Sequence, residues 1–400
     1  MKYISLECVL ELADSGTWGD EAPPGNGNPV LRSSNIQNSQ LFLDDVAWRS
    51  IPSRDINRKK LSDGDIIVTA SSGSPELIGK CAIFRQPANP QDYYFSNFTF
   101  RLRSNHEQID PQFLFYWLTS DKARSYLKRI NDTTSGLRNL NKSLYLQQEV
   151  PRLPMSEQRR IVAVLDKADA LRQKRREAID KLDPFLQSVF FEMFGDPISN
   201  SRKFECGVLR DFVRLKGGFA FRSSDYAARG IPLLRIGEVN RADLQINKLC
   251  FLPESFLQTH PTFIIQPGDL VMSLTGTTGK EDYANVIMLD NTFDRYFLNQ
   301  RVALIQPDES TYTREYLLYY FKNPRVKREL TKSSRGIRQA NISNEDVLML
   351  SAPRPPIDAQ RIFSGIVERT RELNKNQLRS LRRSNDLFKE LQQRAFTDQL

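Results

Sequence analysis

The sequence predicts an α+β chain: two mixed α/β domains with β-sheet cores, joined by two long helices packed as an antiparallel coiled-coil-like pair, with an internal pseudo-two-fold repeat. Three observations predict it. The chain has 400 residues, more than one ordinary domain holds. Its halves match at a spacing of roughly 200 residues, as duplicated units do. Each half ends in a long stretch with apolar residues three and four apart, the period of a helix with one packed face. Hydrophobic residues make up 40% of the chain, with 24 Phe and 13 Tyr, so it has the material for a core that disordered chains lack.

The repeat is carried by successive blocks in the same order. Residues 6–18 (LECVLELADSGTW) match 209–221 (LRDFVRLKGGFAF), a short apolar strand or turn opening each unit. PVLRSSNIQ from Pro29 matches PLLRIGEVN from Pro232, which sets Arg32 opposite Arg235. LSDGDIIVTASSGSPELIGKCAIF from Leu61 matches IQPGDLVMSLTGTTGKEDYANVIML from Ile265, and each reads as turn, strand, polar loop, strand, with Gly64-Asp65 and Gly268-Asp269 as the turns. Phe95-Ser96-Asn97 is matched to Phe297-Leu298-Asn299 before a further strand. PQFLFYWLTSDKARSYLKRI and REYLLYYFKNPRVKREL each read as a helix, followed by SGLRNLNKS and SRGIRQANIS, in which Gly136, Arg138 and Asn141 align with Gly336, Arg338 and Asn341.

A proline-bearing lead then enters each long helix. The expected stripe is Ile161, Val164, Ala168, Leu171, Ala178, Leu182 and Phe185 in the first, and Phe363, Ile366, Leu373, Leu381, Phe388 and Leu391 in the second. Ile161, Val164, Leu171, Leu182, Ile366, Leu373, Leu381 and Phe388 are the residues expected to form the helix pair and its partner surface. The alternative is that each helix packs only on its own domain. Asp183-Pro184 reads as an N-cap with proline at the first helical position, so the first helix is expected to break there. The resulting limits are 1–152 and 197–353 for the domains, and 153–196 and 354–400 for the helical regions.

Charge points to the partner class. A net charge of +9 favours polyanions, because neutralising phosphates releases counterions. Cys8, Cys81, Cys206 and Cys250 lie far apart without a CxxC pair, which argues against zinc and a disulfide framework. MKYISLECVLEL lacks a signal-type pattern and no run of eighteen apolar residues occurs, so a cytoplasmic location with no membrane partner is expected.

Catalytic chemistry finds little support. His106 and His260 stand in unlike contexts, so no histidine-based triad can be repeated in both halves. Gly276–Glu281 (GTTGKE) fails as a phosphate-binding loop, since Leu274 stands where the first glycine is required and Glu281 where Ser or Thr is required. Asp44, Asp45, Asp65 and Asp269 form no repeated carboxylate-and-lysine cluster, and the last two follow glycine at strand entrances, where turn formation accounts for them. No catalytic and no metal-ligating residue is assigned.

Reading DNA requires side chains that bond base edges, with phosphate contacts fixing position. The polar segments after the domain helices supply Arg138, Asn139, Asn141 and Lys142 in one half, and Arg335, Arg338, Gln339 and Asn341 in the other. Arg pairs bidentately with guanine, and Asn or Gln with adenine. The hydroxyl-rich loops supply Ser72, Ser74 and Lys80, and Ser273, Thr275, Thr277, Thr278 and Lys280; Arg32 and Arg235 join them at strand ends. For every segment the alternative is a plain solvated loop, and for the two arginines a salt bridge. A helix of about 26 residues spans roughly 39 Å, close to the roughly 34 Å of one B-DNA turn, so paired long helices suit a ruler between two DNA-reading domains.

LPMSEQRRIVAVLDKADALRQKRREAI with its FGDP exit, the PPIDAQRIFSGIV counterpart, and the Gly-Asp, strand, loop, strand blocks before each resemble the specificity (HsdS) subunit of type I restriction-modification systems. The resemblance covers essentially the whole chain; Ala359 stands where the first copy has Glu157. It implies two target recognition domains, each reading one half of a bipartite, asymmetric site in double-stranded DNA, with the helices setting the spacer. It also implies docking of two methyltransferase subunits that use S-adenosylmethionine, and of restriction subunits using ATP with Mg. This chain would itself be non-catalytic and hold no cofactor. The competing readings are a helical protein-assembly scaffold, whose binding would resist salt, and a self-contained enzyme, which would turn over alone.

Overall fold

The computed structural model describes residues 2–73, 77–89, 91–132, 139–241, 249–277, 282–332 and 339–397. The chain parts into two compact units, residues 1–176 with 379–400, and residues 177–378. Each unit therefore contains one domain, the first part of the helix that follows it, and a helical segment from elsewhere in the chain.

Both units are built on the same four-stranded antiparallel sheet. In the first its order is Leu10–Ser15, Thr99–Ser104, Ile66–Thr69, Cys81–Ile83; in the second it is Val213–Gly217, Val302–Pro307, Leu270–Ser273, Val286–Met288. The central strands Ile66–Thr69 and Leu270–Ser273 are apolar at nearly every position because both faces are covered. Ile66 and Val68 enter the core beneath the helices, while Ile67 enters a second core with Leu31, Phe84 and Phe95. Leu270 and Met272 divide from Val271 in the same way, as the period of two in a strand requires. The Gly-Asp turns start these strands as expected: Gly64 and Gly268 both adopt φ +87°, a backbone that glycine accepts without steric cost. Asp65 and Asp269 close the turns by accepting from the amides of Ser62 and Gln266, each at 2.8 Å.

A second sheet covers the first. In both units it contains a parallel pair, Tyr94–Phe95 beside Asn28–Leu31 and Tyr296–Leu298 beside Ile231–Leu234. A two-stranded antiparallel clasp joins the domain's entrance to its exit, Lys2–Ser5 with Glu149–Arg152 and Cys206–Val208 with Ser351–Pro353. The clasp ends where each long helix starts.

The single domain helix expected in each unit is two. Pro111–Leu118 is followed by Asp121–Asp132, and Arg314–Lys322 by Pro324–Thr331. The break lies at polar residues that end one helix and cap the next: the Asn323 side chain accepts from Arg325 N, with Pro324 at the first position.

The long helices run Met155–Asp180 and Ile357–Ala395. The first breaks at Lys181, and Leu182–Phe194 continues as a separate helix. Asp183 is not the N-cap: it lies within the first turn, where its Oδ1 takes Lys322 Nζ at 2.7 Å and the Tyr319 hydroxyl at 3.2 Å. Leu186, Phe190 and Phe194 of this helix enter the core of the second unit against Tyr316, Tyr319 and Phe363. In the first unit that place is taken by the end of the other long helix, with Phe388 against Tyr116 and Phe396 against Phe113 and Trp117. Burying one such aromatic contributes about 1.5–3 kcal/mol.

Candidate nucleic-acid interface

Beyond the buried ends of the central strands, at Thr69 and Ser273, the next residue in each copy ties three segments together. The Ala70 N–H donates to Phe98 O at 2.9 Å, and its carbonyl accepts from Leu140 N at 2.7 Å. Leu274 does the same, its N–H donating to Arg301 O and its carbonyl accepting from Ile342 N, both at 3.0 Å. The two polar segments that sequence singled out therefore meet in both units. Ser71 bridges Asn139 in the first; in the second, Thr275–Thr277 pairs as a strand with Gln339–Asn341, placing Thr275 opposite Asn341.

This geometry corrects the register of the repeat. Asn139, not Asn141, is the counterpart of Asn341, because each stands opposite the same strand residue. Asn141 instead corresponds to Ser343, and both are helix N-caps: Asn141 accepts from Leu144 N at 3.1 Å and Ser343 from Asp346 N at 3.1 Å. Phe95 likewise corresponds to Leu298 rather than Phe297, since Phe95 is paired with Leu31 and Leu298 with Leu234.

Among the described candidates, Lys80, Thr277, Asn139 and Asn341 are exposed and Ser72 half-buried at this edge. Thr277 is held by Asp282, which accepts from its N–H at 2.7 Å and its hydroxyl at 2.8 Å. Others have structural work that removes them from the edge. Ser273 is fully buried and accepts from Asn285 N at 3.1 Å, bracing the hairpin. Lys142 turns inward to Ala13 O at 2.7 Å, and burial lowers its pKa. Arg32 pairs with Asp45 at 2.9 Å and Arg235 with Glu238 at 3.2 Å, the salt-bridge alternative for both. Thr275 is half-buried along the paired strand. Ser74, Arg138, Thr278, Lys280, Arg335, Arg338 and the Gln339 side chain lie outside the described residues.

The structure adds residues that sequence reasoning did not single out. The turn carrying Phe98 closes with Thr99 N donating to Ser96 O, and the one carrying Arg301 with Val302 N donating to Asn299 O, each at 2.9 Å. Their central residues, Asn97-Phe98 and Gln300-Arg301, are exposed, Phe98 at 54%. The correct repeat register would have revealed them, because it aligns these pairs.

The helices show a further repeated device. Gln158 Nε2 donates to Gln108 O at 3.1 Å and Leu153 O at 2.9 Å, and its Oε1 accepts from Asp110 N at 2.8 Å. Gln360 makes the equivalent bonds to Thr311 O, Pro355 O and Thr313 N, all at 2.9 Å. Asp110 and Thr313 cap the domain helices, so each amide locks the first turn of a long helix to its domain. Of the expected helical stripe, Ile161 and Phe388 are buried; Val164, Leu182, Ile366 and Leu381 are half-buried. Leu171 and Leu373 are exposed, at 43% and 47%, and Phe185 at 50%. Leu165, fully buried, takes the place expected of Val164, because the side facing the domain includes Gln158, Ile161 and Leu165. Among the described residues, no group of His, Cys, Asp and Glu is arranged to hold a metal ion, and no helix is long and apolar enough to cross a membrane.

A recognition module used twice, each copy presenting the same polar edge and locked to a long helix, defines the class. Residues 9–181 and again 202–383 match the model of the type I restriction modification DNA specificity domain. The chain belongs to that family. It is 23% identical over 278 residues to the type I restriction enzyme MjaVIII specificity subunit of Methanocaldococcus jannaschii, covering 66% of this chain and 64% of that one. It is 24% identical over 197 residues to the EcoKI specificity subunit of Escherichia coli K12, covering 48% and 42%. The alignments thus span less than two thirds of either relative. The fold matches the crystal structure of a type I restriction-modification system S subunit from M. genitalium with a TM-score of 0.56 at 12% identity, over 99% of this chain and 96% of that one.

Proposed function

We propose that this chain is the DNA sequence-specificity subunit of a type I restriction-modification complex. Each unit reads one half of a bipartite, asymmetric site. The observation that carries this is the edge at Ala70 and Leu274, where one strand junction recurs in two copies of one scaffold while the turn bonded to it carries Asn97-Phe98 in one copy and Gln300-Arg301 in the other. A common scaffold with divergent tips is what two different half-sites demand. The net charge of +9 supports phosphate contact.

The long helices set the spacer between half-sites, and their exposed apolar residues, including Leu171 and Leu373, offer surface for two methyltransferase subunits. Those subunits supply adenine methylation from S-adenosylmethionine, and restriction subunits, where present, supply ATP- and Mg-dependent cleavage. This chain contributes specificity and assembly, holds no cofactor of its own, and works in the cytoplasm. Reconstitution with the partner methyltransferase tests the reading. Methylation confined to a two-part, adenine-containing sequence is expected, and methylation without sequence preference overturns it. Lengthening a long helix should lengthen the preferred spacer; an unchanged spacer refutes the ruler.

A further inference from the structure

The paired turns at the recognition edge are built alike and tipped differently. In both, the neighbouring strand end braces the turn through a glycine. Gly16 N donates to Thr99 O and Gly218 N to Val302 O, each at 3.2 Å, and the following amides of Thr17 and Phe219 donate to Phe95 O and Leu298 O at 2.9 and 3.0 Å. A Cβ at Gly16 would lie 2.1 Å from Phe95 O, and one at Gly218 would lie 2.3 Å from Asn299 O, so the approach excludes any side chain. On the far side each turn accepts the amide of Ala70 or Leu274. The backbone is thus fixed from both flanks while its two central side chains face solvent.

The tips carry the chemistry. The first central residue is an amide in both copies, Asn97 and Gln300; the second is Phe98 in one and Arg301 in the other. Arg32, Arg103, Arg235 and Arg314 are committed to carboxylates. Arg301 is exposed and has no carboxylate partner among the described residues. An uncommitted guanidinium on a rigid turn matches the bidentate acceptors of guanine, and a half-exposed phenyl ring matches the methyl group of thymine. Fixing such a side chain beforehand lowers the cost of binding.

We propose that these turns are base-reading tips, Arg301 reading a guanine in the half-site of the second unit and Phe98 contacting a thymine in that of the first. The proposal rests on the DNA-specificity reading above and names the residues that set the difference between the half-sites. The test is selection from a library of duplexes randomised in both half-sites, using the full chain with its methyltransferase subunits. Wild type, R301K, R301A and F98A are compared. R301K keeps the charge and loses the planar fork, so it should relax one guanine in one half-site by about 5- to 150-fold while retaining general affinity for DNA. R301A should relax the same base pair, and F98A one thymine in the other half-site. Wild-type base preference in R301K, or an R301A defect equal on all sequences with a salt slope lower by about 1, would make Arg301 a phosphate contact and overturn the assignment. Wild-type complex without any two-part preference would instead overturn the functional reading, and the assignment with it.

Discussion

Phe396 meets Trp117 edge-on, their ring centroids 5.0 Å apart. This closes the core of the first unit with a segment far away in sequence, as Phe194 against Tyr316 at 5.1 Å does in the second. Phe396→Ala should cost about 3–5 kcal/mol, the usual range for a buried phenylalanine. The loss should appear as earlier unfolding of the first unit in denaturant, monitored by Trp117. Phe194→Ala should act on the second unit and leave the Trp117 transition in place. A common transition shifted equally by both variants would show that the units do not unfold separately.

Gln158→Ala and Gln360→Ala each strand groups within a buried hydrogen-bond set. Each should cost about 1–3 kcal/mol, since a buried polar group left without a partner bears its desolvation cost. Hydrogen exchange should quicken at Asp110 N in the first variant and at Thr313 N in the second, where the amides lose their acceptor. Unchanged protection at both amides would refute the lock.

The duplication, the sheet strands and the long helices were legible because they rest on periodic apolar residues. Ile66 to Thr69 and Ile161 announce themselves by what they bury. The edge is half legible in sequence: the polar segments stand out, but their register does not, since Asn139 and Asn141 stand in similar polar surroundings and only strand pairing distinguishes them. Phe98 and Arg301 carry no sequence signal of their own, because the repeat matches there by shape while the side chains differ. The glutamines share no apolar pattern, and the docking of Phe396 is non-local, so neither leaves a periodic trace.

Asp183 offers a pH test. Burial pushes its carboxyl up, but hydrogen bonds from Lys322, Gln187 and Tyr319 outweigh this and hold its pKa below the ordinary value. A depressed carboxylate stabilises the fold above the unfolded pKa near 4, and that contribution fades as pH falls through the lower folded value. The pair is partly exposed, so Asp183→Asn should cost only about 1 kcal/mol or less near pH 7. The difference from wild type should shrink on acidification below about pH 4. A difference that grows on acidification would be the wrong sign.

Thiol chemistry separates surface from core. Cys8 and Cys206 are exposed, whereas Cys81 is buried and desolvation pushes its pKa up to about 12. A thiol-specific reagent at pH 8 should modify Cys8 and Cys206 rapidly and Cys81 only on unfolding, because the thiolate is the reactive form. Peptide mass spectrometry reads this directly, and rapid native-state labelling of Cys81 would contradict its burial in the core of the first unit.

Asn139 and Asn341 occupy equivalent exposed positions opposite Ser71 and Thr275, so their substitution should affect different half-sites. Asparagine pairs with adenine at two points, worth about 1–3 kcal/mol of discrimination. Asn139→Ala should therefore weaken preference at one base pair in the half-site read by the first unit, and Asn341→Ala at one in the other. Lys80, exposed beside the first edge, is the residue expected to contact phosphate, as a lysine ammonium does without reading sequence. Lys80→Ala should weaken binding to every sequence alike and lower the salt slope by about 1. Binding of each variant to a panel of single-base-pair changes, measured at two salt concentrations, separates base contacts from phosphate contacts. A uniform loss in Asn341→Ala would move that residue from the first class to the second.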